Sequence, residues 1–195
     1  MKDPITANYA SSTRSRILKA AMHLFTKHGY NAVSMRQLGK ETGLQSGSLY
    51  VHIDSKEALL QELIEEGYEQ LIENTLDHLY KTRPAAQRVI AFVQHHLEFQ
   101  AGNPDWCFLA NIEVRYLTAE RTKDIVRLRY AYSSILENIL RELKPDCQAT
   151  QATHQALFIL NGIPSVGSNH AHQNVIDWAE DLSRLIVKRF LSSAT

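Results

Sequence analysis

The sequence lacks most of the features that mark secreted, membrane-spanning or metal-binding proteins. Its two cysteines, Cys107 and Cys147, show no CxxC or other metal-ligand spacing, and nothing requires the one disulfide that they could form. The first fifteen residues hold no apolar segment of a secretory signal. No apolar run approaches the roughly 20 residues needed to cross a bilayer. We therefore expect a cytoplasmic protein with no membrane partner.

Signatures of enzyme chemistry are also absent from the sequence. It contains no GxSxG or HExxH motif, no phosphate-cradling glycine loop and no paired Cys/His cluster. His95 and His96 are adjacent, so on a helix they point about 100° apart and do not face one metal ion. We expect no catalytic residues, no metal site and no cofactor.

Net charge is lacking over the whole chain, but the charges are unevenly distributed. The chain has 195 residues, 44% of them hydrophobic, and 21 basic residues balance 21 acidic ones. Residues 1–56 carry eight basic and three acidic residues, a net charge of +5, so the remainder carries −5. A basic end on an acidic body suits a protein that presents one end to a polyanion, although chance segregation is an alternative.

Strand-like alternation is absent too, and apolar residues recur at helical spacing along the chain. We predict an all-α fold with about nine helices: an N-terminal three-helix helix-turn-helix domain at 12–56 and a helical ligand-binding and dimerisation domain at 57–195. Residues 156–160 are apolar all round, which predicts burial on several sides. The helices predicted beyond residue 56 lie at about 57–80, 84–101, 104 onward after an Asn103 cap, 121–143, 150–160 and 175–191.

The spacing within the first domain predicts a helix-turn-helix. An apolar stripe at 17–25 gives the first helix, which Gly29 would end in the left-handed conformation. A second helix fits 35–42 with Ser34 as its N-cap, and a third fits 46–53 on the far side of Gly43. The apolar face of the third helix, Leu49 and Ile53, would pack on the core while its first turn faces a DNA groove.

The segment carries ILKAA at 17–21 with Phe25 and Gly29-Tyr30, SMRQL at 34–38, GL at 43–44, SLYVHI at 48–53 and DSKEALL at 54–60. With these motifs it resembles, over about residues 13–63, the DNA-binding domain of the tetracycline-repressor (TetR) family of transcriptional regulators. Two positions depart from the family pattern. Ile53 stands where phenylalanine is common, and Gly39 stands where alanine is more usual, which would weaken the second helix slightly.

The resemblance implies a surface that binds double-stranded operator DNA. Residues 45–48 would face base edges or the groove rim, while Tyr50, His52 and Lys56 would hold the sugar–phosphate backbone. The plainer alternatives are a core-edge Tyr50, ordinary surface positions for His52 and Lys56, and a surface ion pair for Arg36. The predicted DNA contacts are Ser34, Arg36, Gln45, Ser46, Gly47, Ser48, Tyr50, His52 and Lys56.

The resemblance also implies a small-molecule effector bound among the middle helices. The segments NP at 103–104, EVRYL at 113–117 and RLRYAY at 127–132 resemble members that respond to acyl-CoA thioesters. The resemblance therefore implies an acyl-CoA or another apolar compound as the effector, whose identity the sequence leaves open. Ordinary core packing is the alternative for each aromatic residue. The predicted lining is Phe99, Trp106, Phe108, Glu113, Tyr116, Arg129, Tyr132 and Asn161, with His95 and His96 as further polar contacts.

We also expect a homodimer. One helix-turn-helix covers few base pairs, so useful specificity usually requires two of them on neighbouring half-sites. The resemblance places the dimer interface on the helices at 150–192, where Trp178, Leu182, Leu185 and Ile186 form an apolar stripe; burial within one chain is the alternative. The leading hypothesis is a ligand-responsive repressor. An enzyme with the helix-turn-helix as a mere folding unit, and an adaptor that uses that surface for protein contacts, are the other two hypotheses.

Overall fold

The computed structural model describes residues 12–80, 84–145 and 148–162, together with 181–182, 184–186 and 188. Every element within these residues is helical, which confirms the all-α prediction. The last predicted helix, at 175–191, lies outside the described residues apart from 181–182, 184–186 and 188, which are helical. The elements are α1 (Thr13–His28), α2 (Met35–Thr42), α3 (Ser46–Leu49), α4 (Lys56–Tyr80), α5 (Ala85–Gly102), α6 (Pro104–Asn111), a 3-10 turn (Glu113–Tyr116), α7 (Ala119–Leu143) and α8 (Ala149–Gly162).

The chain divides into two compact units. The first takes its described residues from Met1–Gln70 and Gly102–Leu128, and the second from Leu71–Ala101 and Arg129–Thr195. Helices α4 and α7 each contribute residues to both units. The functional boundary after residue 56 stays a prediction. No helix in the described part of the chain is long and apolar enough to cross a membrane.

Local sequence explains where the first helices begin and end. Ser34 caps α2 in a reciprocal capping box with Gln37, as its position predicted, and Ser12 caps α1. Gly43 ends α2 in the left-handed conformation with φ of 70°. Gly29 also has a positive φ, 80°, but its ψ of 147° lies outside the left-handed helical region, so that part of the prediction is wrong.

Helix α3 is shorter than predicted, because it ends at Leu49 instead of residue 53. Its first three residues, Ser46, Gly47 and Ser48, have modest or poor helix propensity. Beyond Leu49 the chain tightens into turns, in which the His52 amide donates to the Leu49 carbonyl at 2.9 Å, a 3-10 spacing. The predicted anchors hold nonetheless, since Leu49 and Ile53 are both buried.

In the first unit, the indole of Trp106 on α6 packs directly on the backbone of α4. Trp106 is buried, its Nε1 donates to the Ile64 carbonyl at 3.2 Å, and its ring meets Tyr68 edge-on at 5.0 Å. A Cβ on Gly67 would lie 1.9 Å from Trp106 Nε1, so only glycine permits this approach. Helix α6 begins at Pro104 as predicted, although no capping hydrogen bond is made by the side chain before it.

We predict that Gly67→Ala lowers the free energy of unfolding by about 1–3 kcal/mol, because the new methyl group overpacks the indole site. Urea denaturation monitored by tryptophan fluorescence measures the change. Gly47→Ala is the matched control, since a Cβ there meets no atom within 4 Å. Equal stability of the two variants would show that α4 and α6 do not pack in this way.

In the second unit, α8 buries only one of its faces. Ala156 and Leu160 are buried, whereas Phe158 is 83% exposed and Ile159 is 48% exposed. The prediction that residues 156–160 are buried on several sides is therefore wrong for the single chain. Of the stripe predicted on the last helix, Leu185 is 62% exposed, and Leu182 and Ile186 are half-buried.

Candidate DNA interface and effector site

The turn between α2 and α3 is held by close backbone contact. The Leu44 amide donates to the Gly39 carbonyl at 2.8 Å, and a Cβ on Gly39 would lie 2.6 Å from the Leu44 carbonyl oxygen. An alanine there would force the backbone apart. Gly39, expected from the sequence only to weaken α2, is therefore what allows the two short helices to meet at this distance.

The start of α3 forms an exposed polar surface, as predicted. Gln45, Gly47 and Ser48 are exposed and Ser46 is half-buried. A Cβ on Gly47 would meet nothing within 4 Å, so the backbone is open to an approaching partner. Amide and hydroxyl groups of this kind bond base edges and phosphates.

The residues after α3 add apolar side chains to this exposed surface, and the sequence prediction missed them. Tyr50 is 55% exposed, and Val51 beside it is 80% exposed. Aliphatic methyl groups contact the methyl group of thymine in the major groove. The available signal was the position of Val51 between Tyr50 and His52 in the motif, but an isolated valine in a sequence looks like a core residue.

The basic residues of the helix-turn-helix fall into two groups. Arg14 donates to the His52 carbonyl at 2.6 Å and pairs with Glu62 at 2.7 Å, and Arg16 donates to the Thr42 carbonyl. These arginines brace α1 against the segments that follow it. The second group is Lys19, Lys27, Arg36 and Lys40, whose side chains are exposed, as those of Arg14 and Arg16 also are.

Lys56 belongs with the bracing residues in the structure. Its Nζ donates to the Tyr30 carbonyl at 3.0 Å and to the Val33 carbonyl at 2.8 Å, and lies 4.2 Å from the centre of the Tyr30 ring. Burial lowers the pKa of the ammonium. The lysine thus fixes the loop between α1 and α2, and its phosphate contact stays a prediction.

The same loop is fastened to the 3-10 turn within the first unit. The Tyr30 amide donates to the buried Glu113 carboxylate at 2.9 Å, and the Tyr30 ring stacks on Tyr116 at 5.5 Å. The Thr118 amide donates to Glu57 at 2.7 Å, and this bond is the main cause that lowers the Glu57 pKa. Two residues predicted to line the effector site, Glu113 and Tyr116, therefore hold the helix-turn-helix.

The predicted effector residues are divided between the two units. Glu113 and Tyr116 have the contacts just described, and Trp106 packs on α4. Among the described residues, no group of three or more His, Cys, Asp or Glu side chains could hold a metal ion. Trp106, Phe108, Glu113 and Tyr116 lie in the first unit, and Phe99, Arg129, Tyr132 and Asn161 lie in the second.

A buried polar network crosses the second unit. His96 is 2% exposed, and its Nδ1 bonds the Tyr132 hydroxyl at 2.8 Å. Gln100, one turn further along α5, donates to Asn161 Oδ1 at 3.0 Å. Desolvation, and to a lesser extent repulsion from His95, lower the pKa of His96 to about 3. The imidazole is therefore neutral at physiological pH.

We predict that His96 makes the protein less stable as the pH falls. Folding lowers its pKa from 6.5 to about 3. Between pH 6.5 and about pH 3, the imidazole therefore binds a proton in the unfolded chain but not in the folded chain. The wild type should lose about 2 kcal/mol more of its unfolding free energy than His96→Gln between pH 7 and pH 5. Urea denaturation at the two pH values measures this difference, and parallel losses would contradict it.

Comparison with known proteins identifies this architecture. A family model described as bacterial regulatory proteins, tetR family, matches residues 17–63, and one described as a tetracyclin repressor-like C-terminal domain matches residues 82–163. Together they span well over half of the chain. The chain belongs to the TetR family.

Curated TetR-family relatives match parts of the chain. The fatty acid metabolism regulator protein of Bacillus subtilis is 24% identical over 127 residues, 65% of this chain and 66% of the relative. The regulator UidR of Escherichia coli is 40% identical over 63 residues, 32% of each chain. The chain thus spans slightly less than two thirds of the first relative and about a third of the second.

Solved TetR-family structures share the fold across almost the whole chain. The Bacillus subtilis regulator FadR, in complex with stearoyl-CoA, superposes with a TM-score of 0.75 at 19% identity, covering 88% of this chain and 96% of its own. AibR, in complex with isovaleryl coenzyme A and operator DNA, gives 0.79 at 19% identity, covering 89% and 97%. At this identity the likeness shows the fold alone.

Proposed function

We propose that the chain is a homodimeric transcriptional repressor that binds operator DNA and leaves it when a small-molecule effector binds. The observation that carries the DNA-binding part is the exposed polar start of α3, held rigidly by the capping box of α2 and by the close turn at Gly39 and Gly43. A rigid, exposed recognition turn with exposed cations around it suits a major groove and its phosphates.

Within this surface we assign base reading to Gln45 and Ser48 and backbone contact to Arg36, Tyr50 and His52. Gln45 has an exposed amide, which pairs bidentately with adenine. Arg36 is exposed near the capped start of α2, where backbone amides attract phosphate.

We predict that Gln45→Ala changes which operator sequence is preferred, whereas Arg36→Ala weakens binding to all sequences by a similar factor. Loss of a good base contact changes discrimination by about 1–3 kcal/mol at one position. Gel shifts with the DNA upstream of the gene, and with single-base variants of it, measure both effects. An unchanged preference in Gln45→Ala together with an altered one in Arg36→Ala would reverse the assignment.

For the effector we propose an acyl-CoA thioester. The support is the resemblance of residues 103–132 to acyl-CoA-responsive members, the partial match to a fatty acid metabolism regulator, and the two fold neighbours bound to acyl-CoA molecules. Isovaleryl-CoA, octanoyl-CoA and stearoyl-CoA, added to the preformed complex, test this proposal. We expect at least one of them to release the DNA, and release by none would exclude the class.

For the dimer we propose an interface formed by α8 and the last helix. Phe158 and Ile159 on α8, and Leu185, Leu182 and Ile186 beyond it, are exposed or half-buried apolar side chains of the second unit. Exposed apolar groups of this size mark a surface that another molecule covers. Trp178, also predicted in this interface, lies outside the described residues.

A further inference from the structure

The polar network of the second unit is unusual for the core of a helical unit. His96 and Gln100 are both buried and lie one turn apart on α5, where apolar residues would pack without loss of hydration. Phe92 stacks on both His96, at 6.4 Å, and Tyr132, at 5.1 Å, so apolar and polar groups meet here. A few convergent polar groups in an apolar setting are typical of a ligand site.

Of the two ring nitrogens of His96, one is engaged and the other makes no hydrogen bond of ordinary geometry with the described residues. His96 Nε2 is buried and makes no hydrogen bond of ordinary geometry, although the Asn161 side chain lies close enough to favour the protonated ring slightly. Nδ1 on the other side of the ring is engaged by the Tyr132 hydroxyl. When that hydroxyl donates to Nδ1, the ring proton resides on Nε2 and Nε2 becomes a hydrogen-bond donor.

We propose that His96 Nε2–H donates a hydrogen bond to an uncharged carbonyl oxygen of the effector, the thioester carbonyl of an acyl-CoA. This inference rests on the proposed function and adds to it the group that is recognised and the residue that recognises it. In the single chain Asn161 is exposed, while His96 and Gln100 are buried.

The chemistry of the site disfavours a carboxylate in place of the carbonyl. A carboxylate would need the imidazolium as its counter-charge, and a pKa of about 3 makes that form roughly ten-thousandfold rarer than the neutral ring at pH 7. Among the described residues, the titratable groups next to His96 are His95, whose pKa is lowered by burial, and Tyr132; His95 in turn stacks on His78 at 5.4 Å. A neutral acceptor avoids the cost of a buried, unpaired charge.

The test compares thioesters with thioethers that lack only the carbonyl oxygen. The probes are isovaleryl-CoA, octanoyl-CoA and stearoyl-CoA with their S-isopentyl, S-octyl and S-octadecyl counterparts, and titration calorimetry measures their Kd values. In the wild type we expect the best thioester to bind about tenfold more tightly than its thioether. His96→Gln, whose amide reaches the Nε2 position, should keep part of this ratio, and His96→Asn, which reaches only the Nδ1 position, should reduce it to about one.

His23→Asn, at an exposed position on α1, is the matched control and should keep the full ratio. If His96→Asn fails to fold, the 15N resonances of the wild-type histidines give the answer: Nε2 of His96 should shift with the thioester and not with the thioether. Equal Kd values for each pair, or no binding of any probe, overturn the inference. Gel shifts on the same preparations report DNA binding independently, so the repressor function and this subsite fail separately.

Discussion

Replacing Phe158 with glutamate is expected to turn the proposed dimer into a monomer and to lower operator affinity about a hundredfold. Phe158 is 83% exposed in the single chain and stands beside the partly exposed Ile159 on α8. In an apolar interface the glutamate carboxylate would be buried without a partner. The free-energy cost of burying that charge opposes association of the two subunits. Each subunit binds one half-site of the operator. A monomer therefore loses the increase in affinity that comes from binding both half-sites at once.

Light scattering coupled to size-exclusion chromatography measures the mass of Phe158→Glu, and fluorescence anisotropy measures its affinity for DNA. Tyr80→Glu is the matched control, since Tyr80 is 91% exposed at the end of α4 and lies outside the proposed interface. A Phe158→Glu variant that stays dimeric and binds DNA normally would remove α8 from the interface.

Lys56→Met is expected to weaken DNA binding by destabilising the helix-turn-helix. The substitution removes the hydrogen bonds to the Tyr30 and Val33 carbonyls and the ammonium over the Tyr30 ring. Hydrogen bonds from a charged donor contribute about 1.5–3 kcal/mol, so we expect the unfolding free energy to fall by about 2 kcal/mol. Affinity should fall for all DNA sequences while the salt dependence of binding stays the same.

A phosphate contact by Lys56 predicts a different pattern. The slope of log K against log salt would then become shallower by about one for each subunit, and the stability would change little. Arg36→Met on α2, an exposed residue assigned to the DNA backbone, is the control that should show that pattern. Urea denaturation and anisotropy at several salt concentrations distinguish the two roles.

Much of this fold was predictable because its signals are local. The capping box at Ser34 and Gln37, the left-handed Gly43 and the apolar stripe of α1 depend on residues within one or two turns. The length of α3 was less predictable, since the family motif continues through 53 while the backbone leaves the α-helix after Leu49. Polar, exposed residues at the start of α3 were predictable from the motif itself.

The errors and omissions concern contacts between residues far apart in sequence. Nothing near Glu113 indicates that its carboxylate receives the Tyr30 amide 83 residues away. Composition also cannot tell whether an apolar face is covered by its own chain, so residues 156–160 looked like core although Phe158 is exposed. The close approach at Gly39 could not be predicted from the sequence either, because it depends on where folding places the Leu44 carbonyl.

The most direct test of the central claim is the salt dependence of binding to the DNA upstream of the gene. Fluorescence anisotropy with the full-length wild-type chain measures Kd between about 50 and 200 mM salt. A dimer that neutralises six or more phosphates should lose affinity about a thousandfold or more over this range. Absence of binding at moderate salt, or a Kd that does not change with salt, would contradict the assignment of α2 and α3 to DNA.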